Sequence, residues 1–95
     1  MITNTQLLKL KDKSGENIAK ARDVLLSMQG KIEFLRDLKV EVNIRQGLSF
    51  YDLLMSAQYD SLEDLEAYII HPVHVEVAKY IAGVLETSAV VCYES

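Results

Sequence analysis

Residues that break, cross-link or stiffen a chain are scarce in this sequence. Its 95 residues include four glycines, one proline, one cysteine and no tryptophan. A lone cysteine, Cys92, excludes a disulfide framework within the chain and suits a reducing compartment. So little glycine and proline argues against a linker-like or disordered chain. No apolar run reaches the roughly 18 residues of a membrane span, so no membrane is expected as a partner. Met1–Gln6 has no basic stretch leading into an apolar one, so no secretory leader is expected and the cytoplasm is the expected location. Positive charge is also in short supply. Ten Lys and Arg face fourteen Asp and Glu, the net charge is -4, and no basic stripe is present, which argues against nucleic acid as a partner.

What is abundant is apolar side chain. Hydrophobic residues make up 49% of the chain, and the mean hydropathy is +0.07. Residues 1–95 are long enough for a single domain only, and a chain of this size hides just ~60–65% of its unfolded surface. The surplus predicts that some apolar surface meets another chain.

The order of periodic segments defines a fold. Residues 2–11 read as a strand with Asn4, Gln6, Leu8 and Leu10 on one face. Ser14 is placed to cap a helix whose stripe is Ile18, Ala21, Leu25, Met28, Ile32 and Leu35, with Gly30 ending its regular part. Leu38, Val40, Val42 and Ile44 alternate with polar residues in a second strand, and 50–59 reads as a third. Ser61 opens another helix, which Pro72 stops while starting a new one over about 73–86. Residues 88–93 read as a last strand, apolar on both faces, with Cys92 a small buried group. The series β-α-β-β-α-α-β predicts an α+β, ferredoxin-like fold with a four-stranded antiparallel sheet and helices on one face. Phe50, Leu54 and one side of the last strand leave the other face too apolar to stay wet. A homodimer paired sheet to sheet into a barrel would cover it.

Candidate chemistry gathers at the helix break, where Tyr68, His71 and His74 follow one another at intervals of three. A neutral histidine near a helix start, beside a phenol, is a reasonable general base with a hydrogen-bonding partner. A histidine before a proline also serves simply as a cap or a packed ring. Two histidines without a third ligand at matching spacing give no metal site, and no cofactor is expected. Asn4 and Gln6 place two amides on the first-strand face that carries Leu8. They are either the polar end of a pocket or a strand end in solvent. The expected pocket has Leu8, Leu53, Met55, Tyr68 and Val77 as its wall, and Asn4, Gln6, His71 and His74 as its polar contacts.

Three segments carry a family resemblance: Leu7–Asp12 (LLKLKD), Tyr59–Tyr68 (YDSLEDLEAY) and Ile69–Val75 (IIHPVHV). Together they resemble the stress-responsive A/B barrel (Dabb) family, whose HPxHV element is its most diagnostic stretch. The resemblance implies a dimeric α+β barrel with a pocket between sheet and helices in each subunit. Related barrels include cofactor-free monooxygenases, and a plant member of the family cyclises a polyketide by aldol condensation. By position, that cyclase's tyrosine matches Tyr68, its catalytic histidine matches His74, and the first histidine of the element matches His71. The family's usual first-strand histidine is replaced by Asn4, which cannot take a proton at neutral pH. The implied roles are therefore binding of a small hydrophobic or carbonyl molecule, or cofactor-free enolisation with His74 as base and Tyr68 as donor.

Overall fold

The computed structural model describes all residues, Met1–Ser95. The elements in chain order are β1 (Ile2–Leu10), α1 (Gly15–Leu26), β2 (Arg36–Val42), β3 (Leu53–Tyr59), α2 (Leu62–Ile69), α3 (Pro72–Val84) and β4 (Leu85–Glu94). The sheet runs β2-β3-β1-β4 and is antiparallel throughout. β1 pairs with β3 from Ile2↔Tyr59 to Leu8↔Leu53, and with β4 from Ile2↔Glu94 to Leu10↔Leu85. This is the ferredoxin-like arrangement that the element order predicted.

Alternation along the strands decides where the core sits. Leu8, Leu10, Leu53, Met55, Ala57 and Tyr59 turn to the helix side and are buried. They meet Ile18, Ala21 and Leu25 of α1, Tyr68 of α2, and Val77 and Ile81 of α3 in one cluster. The helices α1 and α2 are capped as the sequence implies. Ser14 accepts from Asn17 N–H and Ser61 from Asp64 N–H.

Several boundaries differ from the sequence reading, each for a local reason. α1 ends at Leu26, well before Gly30, because the Ser27 hydroxyl turns back to the Val24 carbonyl and competes with the helix ladder. Met28 and Ile32 still reach the core, from the turns that follow. Gly30 sits at φ 79, where only glycine is unstrained. In β2, Asp37 at φ 48 forms a bulge between Arg36 and Lys39 that keeps Leu38 and Val40 inward. Ile44, expected inward, lies past the strand end and is 98% exposed. Phe50 and Tyr51 precede β3 rather than starting it. α3 stops at Val84, not at Glu86, and β4 follows at Leu85 with no connecting residue. Cys92 is exposed rather than buried, because β4 is an edge strand beyond the cover of the helices.

Asp52 explains where β3 starts. Its N–H donates to the Leu8 carbonyl at 2.8 Å and its carbonyl accepts from Asn43 N–H at 3.0 Å. Its carboxylate accepts from the N–H of fully buried Leu10 at 2.8 Å and from Lys13 Nζ at 3.0 Å. Asp52→Ala should therefore lower stability by about 1–3 kcal/mol, mostly from the stranded Leu10 N–H. The half-exposed Lys13 pair adds little. A urea unfolding midpoint equal to wild type would refute this.

Candidate ligand pocket

The break between α2 and α3 positions the polar groups. At the end of α2, Ile70 N–H bonds to Glu66 O and His71 N–H bonds to Tyr68 O. Pro72 occupies the first turn of α3, and His71 is its N-cap. The His71 Nδ1 accepts from Val73 N–H at 3.1 Å. In an unbroken helix that N–H would bond to Ile69 O. Here the Ile69 carbonyl is left for His74, whose Nδ1 lies 2.8 Å away. A carbonyl only accepts, so His74 Nδ1 carries the hydrogen, and in the neutral ring Nε2 keeps its lone pair.

Tyr68 is buried, and its ring packs on His74 with centroids 4.4 Å apart and planes tilted by 46°. The two meet ring against ring, with no hydrogen bond between them. The Tyr68 hydroxyl instead donates to Met28 Sδ at 3.8 Å, a weak acceptor. Behind it stands Tyr59, with centroids at 5.2 Å. Burial pushes the Tyr68 phenol up to about 12, and the Tyr59 hydroxyl pulls it slightly the other way. Tyr68 is therefore a neutral donor at pH 7.

A cavity of about 200 Å³ opens between sheet and helices at this point. Gln6, Leu8, Met55, Tyr68, His74 and Val77 line it, all of them residues marked in the sequence. Asn4, Leu53 and His71 do not. Asn4 lies two residues further along β1, opposite Ala57 and Cys92. Leu53 is buried on the side of a second hollow, with Val42 and Phe50. His71 is committed to its cap. The rest of the wall reads in the sequence as buried helix stripe and not as pocket. Leu25 and Met28 close one side, Ala78, Ile81 and Ala82 form the facing stripe of α3, and Leu85 at the start of β4 completes it. The signal for these was present, since alanines beside Val77 and Ile81 at helical spacing leave room where larger residues would fill the core. Elsewhere, no group of three or more His, Cys, Asp or Glu comes together in the way a metal ion would need. No helix is long and apolar enough to cross a membrane.

Residues 2–95 match the family described as the stress responsive A/B barrel domain. The chain belongs to that family. No curated protein sequence matches it at a significant level. Among solved structures, it is similar to a dimeric, ferredoxin-like protein of unknown function from Bacteroides fragilis. The two share 25% identity, over 99% of this chain and 95% of that one, with a TM-score of 0.84. A protein of Arabidopsis thaliana is 23% identical over 100% and 95% of the two chains, with a TM-score of 0.86. The hydroxynitrile lyase of Passiflora edulis is 14% identical over 97% and 90%, with a TM-score of 0.84. At the identities of the last two, the likeness speaks for the fold alone.

Proposed function

We propose that this chain binds a small, mainly apolar molecule that carries a carbonyl or similar oxygen, with that oxygen held at the Tyr68–His74 end of the pocket. The observation that carries this reading is the pairing there of a neutral phenol donor with an imidazole whose Nδ1 is already spoken for. The wall around them is otherwise aliphatic apart from the Gln6 amide. Size narrows the class. A closed cavity of about 150 Å³ takes benzene, so about 200 Å³ suits one ring or an aliphatic chain of like bulk. The oxygen would draw the Tyr68 proton away from Met28 Sδ, at little cost to so weak a bond.

A second copy belongs on the sheet face turned away from the helices. There Leu7 and Leu54 pair across β1 and β3, and Val91 and Tyr93 of β4 are 62% and 49% exposed. That the Bacteroides fragilis relative is dimeric supports this reading.

The fixed tautomer of His74 favours a second, catalytic reading. With Nδ1 donating to Ile69 O, Nε2 is free to take a proton from the carbon beside a bound carbonyl, and Tyr68 donates to the enolate oxygen that forms. The Ile69 carbonyl would remain bonded to the imidazolium.

Native mass spectrometry of the purified protein, followed by titration with one-ring ketones, aldehydes and phenols, tests the binding reading. Expected is at least one ligand with a micromolar dissociation constant. Ala78→Leu fills the pocket from α3, where Ala78 is only half-buried. It should weaken that ligand at least about tenfold, which is 1.4 kcal/mol, and leave stability within about 0.5 kcal/mol. Affinity unchanged by Ala78→Leu would place the ligand elsewhere.

A further inference from the structure

The pocket's phenol has a second phenol behind it that the binding reading leaves unused. Tyr59 is 0% exposed, and its Oη is the one buried side-chain polar atom in the chain with no hydrogen-bond partner. Such an orphan is costly and calls for a cause. Its neighbour has the complementary deficit. The Tyr68 hydroxyl spends its only proton on Met28 Sδ, and its oxygen receives no donor. One side therefore holds a proton without an acceptor, and the other an acceptor without a proton. The rings are 5.2 Å apart and tilted by 50°. As they stand, the two hydroxyls fall short of ordinary hydrogen-bond geometry.

We propose that Tyr59 is a positioning residue, whose buried hydroxyl donates to Tyr68 Oη and so holds the Tyr68 proton toward the pocket when an oxygen-bearing ligand enters. Donation into the Tyr68 oxygen leaves that phenol one proton to give and only weak competition from the Met28 sulfur. Hydrogen bonds in such a chain also polarise one another, which makes Tyr68 the stronger donor. The directions of the acidity shifts agree. After burial, Tyr68 and then Cys92 hold the Tyr59 proton on, whereas the Tyr59 hydroxyl eases proton loss from Tyr68. The groups that face the pair are few: His74 from α3 against Tyr68, and Cys92 from β4 on the side of Tyr59. The ligand half of the proposal rests on the binding reading; the contact between the two phenols does not.

The test is therefore made on the ligand-free protein. Fluorotyrosine incorporation brings phenol titrations toward neutral pH and gives each of the five tyrosines a fluorine NMR signal. Tyr68→Phe assigns the Tyr68 signal. Tyr59→Phe, which keeps the ring and removes only the orphan hydroxyl, should raise the Tyr68 titration midpoint by about half a unit or more, because a donor to the phenolate is lost. A Tyr68 midpoint that stays put or falls in folded Tyr59→Phe protein overturns the proposal. The Tyr68→Phe protein gives an independent reading, since it should lower the Tyr59 midpoint, and a Tyr59 midpoint that does not fall also counts against the contact. A merely structural Tyr59 would move neither titration.

Discussion

Leu54→Arg should leave the fold intact and abolish self-association at micromolar concentration. Leu54 is the second residue of β3, and its side chain faces away from the helices, directly opposite Leu7 on β1. Thr5, Val91 and Tyr93 continue that face toward the β4 edge. In a two-fold pairing of these faces, each substitution enters the interface twice. A buried arginine without a carboxylate partner costs several kcal/mol, so two of them should weaken the dimer by at least about a thousandfold. In a lone copy the guanidinium reaches solvent and the helix-side core is untouched. Sedimentation should then show a dimer for wild type and a monomer for Leu54→Arg, with matching circular dichroism. A variant that remains dimeric would move the interface off this face.

The same face shows how far the sequence was legible. The alternation of Leu53, Met55, Ala57 and Tyr59 assigns the inner side of β3 correctly, because a half-buried strand writes its burial with period two. Leu38 and Val40 of β2 were readable for the same reason, although the bulge at Asp37 that holds them inward was not. A positive φ at aspartate leaves no periodic trace. The start of β4 was misplaced because Val84 and Leu85 are both apolar, and no turn residue separates helix from strand. Cys92 was misread because an edge strand and a buried one have the same composition. Only the topology says which of them is covered.

The site was legible as a group of residues and opaque as chemistry. The spacing of Tyr68, His71 and His74 around Pro72 marked the right turn of chain. It could not say that His71 would spend its ring nitrogen on Val73 N–H while His74 took the carbonyl this released. Both outcomes follow from one proline, which ends α2 and starts α3 within three residues. Nor could an inward-facing Tyr59 announce that its hydroxyl lacks a partner, because hydrogen-bond satisfaction belongs to packing between elements and not to any one of them.

His74→Ala carries the other large effect, and it separates the two functional readings. If the protein abstracts a proton next to a bound carbonyl, hydrogen–deuterium exchange at that carbon should fall by about 10²–10⁴-fold, the usual contribution of a positioned base. Affinity for the same carbonyl compound should fall much less, since Tyr68, Leu8, Met55 and Val77 still form the wall. Stability should change little, because the Ile69 carbonyl released by the substitution is at the surface and finds water. Exchange is read by NMR in heavy water with protein and ligand both near saturation, so that binding losses do not masquerade as lost catalysis. Exchange that is as fast in His74→Ala as in wild type would remove the catalytic reading and leave binding standing. The discriminating power lies in the geometry: Nδ1 is held by a backbone carbonyl, so the imidazole enters the pocket with one orientation and one free nitrogen. A residue used only for packing would need neither.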